Sequence, residues 1–186
     1  MRILDVGCWG GKKVKGLIER EYDAYGCDIN TTRFIPEIKD RLFYLDITKP
    51  LPKTKPFDEK FDMICFEEVL EHLDEGKDLV ALENLYKLLK KGGTLILTTP
   101  RSIPYFEWFD PAWVRWKLGF GQRHYHYSGE ELFSKLNKVG LTYCKVRVNG
   151  NLWWLFTRWF NAITRTSFLK ASKKRGCFDW EATFTK

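Results

Sequence analysis

The sequence predicts an α/β fold built on a mostly parallel, doubly wound sheet. Three observations carry this. Short apolar runs alternate with segments of helical periodicity from the first residue onward. The first apolar run leads through a glycine-rich turn straight into a helix. Strands that alternate with helices line up in parallel, because each crossover helix returns the chain to the same end of the sheet.

Taken in order, Arg2–Val6 is the first strand, and Val14, Leu17, Ile18 and Tyr22 mark the helix behind the turn. Ala24–Cys27 and Leu42–Leu45 read as the second and third strands, with Thr31–Arg41 a weaker segment interrupted by Pro36. The Pro- and Lys-rich stretch Leu51–Glu59 reads as a surface connection. Phe61–Phe66 is a buried strand, and Asp78–Leu89 a helix with Leu79, Leu82, Leu85, Tyr86 and Leu89 on one side. Gly92-Gly93 is expected to stop that helix, and Thr94–Thr99 to form a fifth strand ended by Pro100. Ser128-Gly-Glu-Glu131 is a capping box that opens a helix through Leu132, Phe133, Leu136 and Val139, with Gly140 as its stop. Leu141–Val148 and Cys177–Phe184 read as two final strands.

At 186 residues the chain is long enough for one domain with a real core. Residues 1–186 are expected to form that domain, with an aromatic insertion at 101–127 and an amphipathic basic insertion at 151–176. The mixture of 44% hydrophobic and 30% charged residues is that of a globular protein, which excludes a disordered chain. No apolar run reaches bilayer-spanning length and no secretory leader is visible, so a cytoplasmic location is expected. The five cysteines lack CxxC spacing and suit reduced core positions rather than a disulfide framework or a zinc site. The net charge of +7 is concentrated: Asn151 to Phe178 holds six Lys/Arg and no acid. Such a face suits nucleic acid, anionic lipid or an acidic metabolite, and charge alone does not choose among them.

The segment Ile3-Leu-Asp-Val-Gly-Cys-Trp-Gly-Gly11 joins the first strand to the first helix. In open α/β sheets ligands bind at the carboxyl ends of strands, where glycines let them approach main-chain N–H groups. Asp5-x-Gly7-x-x-x-Gly11 resembles the D-x-G-x-G-x-G signature of class I S-adenosylmethionine (SAM)-dependent methyltransferases. Trp9 departs from that pattern where a glycine is usual, and Gly10 is expected to absorb the strain. Three further positions match the family in order. The resemblance implies that Asp28, with Ile29 behind it, ends the second strand beside the ribose hydroxyls. It places Asp46 and Ile47 at the adenine, and Phe66-Glu67 near the methionine part of the cofactor. The closing "YSGEELFSKLNKVGL" is similar to the "FSxEEL…LLxxAGF" region of the same superfamily. A Rossmann-like, mostly parallel sheet of seven strands, the last antiparallel, is therefore expected. Most members carry helices before the first strand; here a lid over the acceptor is expected from the two aromatic segments.

Methyl transfer to a hydroxyl needs the acceptor aligned with the sulfur–methyl bond and its proton removed. Within Glu67-Glu68-Val-Leu-Glu71-His72, a helical turn would set Glu68, Glu71 and His72 on one face. The plain reading is a loop-ordering element. The sharper one is a resemblance to two O-methyltransferase groups, acting on polyprenyl catechols and on the terminal ribose of small RNAs. Both hold a divalent metal with E-x-x-E-H, and in the RNA group a later histidine completes the site. The resemblance implies Glu68, Glu71 and His72 as ligands of Mg²⁺ or Mn²⁺, with His126, or else His124, as the later histidine. Without metal, His72, His124 or His126 is the candidate base.

Leu152–Phe160, followed by Ile163, Phe168 and Leu169, is too apolar for a plain loop, and basic residues follow it. It reads equally as an interfacial membrane anchor or as a helix packed on the sheet, and RNA binding is less favoured. Pro104–Gly121 is dense in aromatics and is expected to border a flat, hydrophobic or sugar-like acceptor. The expected activity is O-methylation of a hydrophobic or lipid-linked small molecule. RNA ribose methylation, a non-catalytic SAM-binding module and a dinucleotide dehydrogenase are the alternatives.

Overall fold

The computed structural model describes residues 1–105, 107–150, 152–164 and 178–186. Seven strands, β1 (Arg2–Val6), β2 (Asp23–Asp28), β3 (Leu42–Tyr44), β4 (Phe61–Glu67), β5 (Leu89–Pro100), β6 (Thr142–Asn149) and β7 (Asp179–Thr185), form one sheet in the order β3-β2-β1-β4-β5-β7-β6. The first five are parallel, and β7 enters antiparallel between β5 and β6. Among the described residues five α-helices accompany them: α1 (Lys12–Ile18), α2 (Lys77–Leu88), α3 (Pro111–Lys117), α4 (Gly129–Lys138) and α5 (Leu152–Thr164). This is the Rossmann-like arrangement that the strand–helix rhythm implies, with its order reversing between β1 and β4.

The period-two alternation of strand side chains sorts the core into two layers. Leu4, Val6, Ile64 and Phe66 face one layer with α2 and α4, through Leu82, Leu85, Leu132 and Leu136. Ile3, Cys65 and Ala24 face the other, against Val14 of α1. Buried Cys8, Cys27 and Cys65 carry free thiols within these layers.

Several boundaries differ from expectation. Helix α1 stops at Ile18 because Glu21 turns into positive φ, and Tyr22 is left exposed outside it. Gly92-Gly93 does not stop α2, which ends at Leu88. Both glycines lie inside β5, where Gly92 has φ 76° and the pairing with β4 shifts register between Phe61 and Met63. The pair therefore marks a bulge. Segment 31–41 forms two 3₁₀ turns, Thr31–Arg33 and Pro36–Arg41. The aromatic insertion contributes a 3₁₀ turn, Glu107–Phe109, and α3, which Asp110 caps by accepting from the Ala112 amide. The Ser128 hydroxyl caps α4 as expected, accepting from the Glu131 amide at 3.1 Å, while the Glu131 carboxylate accepts from the Tyr125 hydroxyl at 3.0 Å. In the basic insertion, α5 is helical. Its continuation, 165–177, lies outside the described residues, as does the expected strand start at Cys177.

Candidate functional site

A cleft of about 670 Å³ opens at the carboxyl ends of the parallel strands. Six of the residues expected at the cofactor line it: Gly7, Trp9, Asp28, Ile29, Asp46 and Ile47. Gly7 sits at φ 79° against Val69, so that any Cβ would overlap the valine's Cγ2. Each carboxylate oxygen of Asp28 accepts one backbone amide at 2.8 Å, from Trp9 and from Asn30. These bonds fix its plane, and the remaining lone pairs are available to a diol. Asp46 accepts the amide and hydroxyl of Thr48 at 3.0 and 2.6 Å, both on Oδ1. Those bonds, led by the hydroxyl, hold its carboxyl below the usual range.

Trp9 occupies the left-handed region itself, at φ 55°, so the strain is not absorbed at Gly10. Its indole lies under the Arg33 guanidinium, 3.5 Å from the ring centroid, and both residues line the cleft. Gly10 answers a different need: a Cβ there would come within 2.9 Å of the Arg33 carbonyl.

Four expected cofactor residues, Asp5, Gly11, Phe66 and Glu67, do not line the cleft. Phe66 is fully buried in the core, and Gly11 begins α1 at φ 87° against Leu42. Asp5 is buried beneath the turn, where Lys13 bridges it at 3.0 Å and also reaches the Glu67 carboxylate. Burial pushes the Asp5 carboxyl up in spite of Lys13. Lys13 is thus the support of this turn, and its place in the first turn of α1 made it look like an ordinary surface lysine.

A second cluster adjoins the cleft through His72, which lines it. The helical face expected for Glu68, Glu71 and His72 does not form. Glu68 adopts φ 56° and Val69 is non-helical, so only Leu70–His72 makes a 3₁₀ turn. Glu68 instead accepts from the Thr98 hydroxyl at 2.9 Å. Glu71 turns inward and is fully buried; its Oε2 meets the Thr99 hydroxyl at 3.4 Å, and its Oε1 has no partner. Burial, and then the charge of Glu68, pushes its carboxyl well above the ordinary range.

The histidines close this cluster. His72 Nδ1 lies 2.7 Å from the Arg123 carbonyl, which can only accept, so the proton sits on Nδ1 and Nε2 keeps its lone pair. That Nε2 is 3.9 Å from Glu71 Oε1. Burial pushes the imidazole's pKa down. His124 and His126 each place Nε2 at 3.1 Å from Asp110 Oδ2, and Arg158 of α5 holds Oδ1 at 3.2 Å. Against the burial that would raise it, these partners keep the Asp110 carboxyl below the usual range. His124 Nδ1 is buried without a partner.

Two groups among the described residues bring ligand atoms within 4.8 Å of one another: Glu71, His72 and His124, and Asp110, His124 and His126. Of the residues expected to hold a metal, the structure brings Glu71 and His72 together with His124, the alternative later histidine, while Glu68 accepts from Thr98 and His126 sits at Asp110. Asp110 and Arg158 had no sequence signal beyond a helix cap and a basic residue in an aromatic run.

The model of the methyltransferase domain family matches residues 1–146. The ubiquinone biosynthesis O-methyltransferase of Candida albicans mitochondria is 32% identical over 121 residues, 59% of this chain and 35% of that protein. Its counterpart in Psychrobacter cryohalolentis is 30% identical over 112 residues, 55% of this chain and 42% of that protein. The chain thus matches less than half the length of these curated relatives. A SAM-dependent methyltransferase structure from Archaeoglobus fulgidus superposes with a TM-score of 0.68 at 18% identity, covering 100% of this chain and 86% of that one. Family match, strand order and glycine turn agree: the chain belongs to the methyltransferase domain family and has the fold of SAM-dependent methyltransferases.

Proposed function

We propose that this chain transfers the methyl group of SAM to a hydroxyl of a hydrophobic, lipid-linked acceptor. The observation that carries the proposal is the double membership of His72. It lines the cofactor cleft and also belongs to the buried cluster with Glu71 and His124. An acceptor oxygen placed there would lie between the methyl donor and a set of proton- or cation-binding atoms. The names of the two relatives, both O-methyltransferases of ubiquinone biosynthesis, support an acceptor of this class.

In this reading Asp28 receives the ribose hydroxyls, Asp46 and Ile47 the adenine, and the Gly7 turn the methionine end. SAM brings an activated methyl, so the protein's work is alignment and proton uptake. A divalent cation fits the donor set. Glu71 Oε1 has no partner, the tautomer of His72 leaves Nε2 open, and His124 has an unpartnered ring nitrogen. Once Glu71 gives up its proton, these are three acceptor atoms without a donor among them, and such a set suits a cation. Two imidazoles with one carboxylate favour Mn²⁺ over Mg²⁺. Bound there, it would lower the pKa of the acceptor hydroxyl. Asp110 orients the His124 ring from behind, and the Arg123 carbonyl does the same for His72.

The test uses deuteromethyl-SAM with polyprenyl phenols and catechols, with and without Mn²⁺, read by mass spectrometry. The expected product is a labelled methyl ether. Glu71→Gln and His72→Ala should each reduce its rate by about 100-fold or more, while S-adenosylhomocysteine affinity changes little. Protein that binds S-adenosylhomocysteine but labels none of these acceptors, or variants that retain the wild-type rate, would overturn the proposal.

A further inference from the structure

We propose that α5 is an interfacial helix that docks this protein on an anionic lipid surface. Trp153, Phe156, Phe160 and Ile163 follow one another at helical spacing and fall on one side of α5. Their exposures are 52, 52, 36 and 74%. The rings form a ridge, with Trp153 on Phe156 at 5.3 Å and Phe156 on Phe160 at 6.1 Å between centroids.

The flanks and the opposite side of the same helix are anchored. Thr157 is fully buried, Arg158 bonds Asp110, and the Trp159 indole N–H donates to the Phe109 carbonyl. These contacts fix the roll of the helix, so the ridge cannot turn inward. No described helix is long and apolar enough to cross a membrane, and α5 is only about 20 Å long. Its geometry is that of a helix lying along a surface.

Charge selects lipid over a second copy of the chain. The sequence after α5, from Arg165 to Phe178, holds five Lys/Arg and no acid, in a chain of net charge +7. Tryptophan and phenylalanine favour the headgroup boundary, and cations that follow in the sequence add attraction to anionic lipid. Two copies of a chain with net charge +7 repel each other. Docking would also set the histidine cluster near the bilayer, because Arg158, on the anchored side, contacts Asp110. This last consequence rests on the lipid-linked acceptor proposed above.

Flotation on density gradients tests the docking itself. Wild-type protein should float with phosphatidylcholine vesicles containing phosphatidylglycerol, less with phosphatidylcholine alone, and less as salt rises. Each half-exposed ring is expected to contribute roughly fivefold, so Trp153→Ser/Phe156→Ser/Phe160→Ser should weaken binding about 100-fold. Ile163→Glu, at the most exposed position, is the milder second variant and should weaken it about tenfold. S-adenosylhomocysteine affinity reports that each variant is folded. Wild type that stays with the free protein, or variants that float like wild type, would overturn the proposal. So would a wild-type dimer that the variants dissolve, seen without flotation. The assay contains no acceptor, so its failure leaves the methyl-transfer reading untouched, and the reverse holds.

Discussion

Gly7→Ala isolates how the cofactor turn is held. Two costs follow from the geometry. An alanine at φ 79° occupies the left-handed region, at about 1–2 kcal/mol. Its Cβ would overlap Val69 Cγ2, well inside the roughly 3.5–4.0 Å contact optimum, and overpacking of this kind costs about 1–3 kcal/mol. The sum, about 2–5 kcal/mol, is a large share of the roughly 5–15 kcal/mol that stabilises a domain. Urea unfolding with and without S-adenosylhomocysteine measures it, and ligand stabilisation should shrink as well, because Gly7 and Val69 both line the cleft. The second arm is Val69→Ala, which removes the overlapped methyl. The double variant should recover the packing share, a coupling of about 1–3 kcal/mol, and leave the backbone share in place. A Gly7→Ala protein within about 0.5 kcal/mol of wild type would refute this reasoning, as would a cycle without coupling.

Two more predictions address groups away from the turn. Burial, followed by the charge of Glu68, pushes the Asp179 carboxyl up to about 8. The folded state therefore keeps a proton that the unfolded chain releases near pH 4, and stability should fall as pH rises from about 4 to about 8. Asp179→Asn should reduce that slope in EDTA-treated protein, leaving the share that buried Glu71 contributes in the same direction, measured as urea midpoints across the range; an unchanged slope would count against it. Tyr127→Phe removes the hydroxyl that donates to Asp78 Oδ2 at 3.1 Å in a buried setting, while Lys135 keeps its 2.9 Å contact with the same carboxylate. The expected loss is about 1–2 kcal/mol, a Tm decrease of roughly 2–8 °C. Calorimetry showing no decrease would refute it.

The fold was legible because local signals dominate it. Alternating strands and helices and the glycine turn are short-range patterns, and all seven strands lie close to the runs that mark them. Gly92-Gly93 misled because a glycine pair stops a helix or makes a bulge, and only the pairing with β4 decides between them. The strand ends also announced Asp28 and Asp46. The histidine cluster was legible in its members and not in its partition. Helical spacing in EEVLEH presumes φ/ψ values that Glu68 and Val69 do not adopt. Asp110 and Arg158 reach the cluster from segments distant in sequence, and side-chain geometry across such separations leaves no periodic trace.

The way the chain enters and leaves the α5 region has an evolutionary side. Asn149 and Asp179 sit opposite each other at the open end of the β6–β7 pair, and the Phe178 amide closes onto the Asn149 carbonyl at 2.9 Å. Whatever lies between them departs and returns at a single stapled doorway. The residues lining the cofactor cleft all come earlier in the chain. The stretch from 150 to 178 is therefore tied to the sheet at one junction, and an exchange of it would also have to replace the contacts of Arg158 with Asp110 and of Trp159 with Phe109. Chains with the same donor half would then acquire new acceptors, or new places to work, by swapping that stretch together with those contacts.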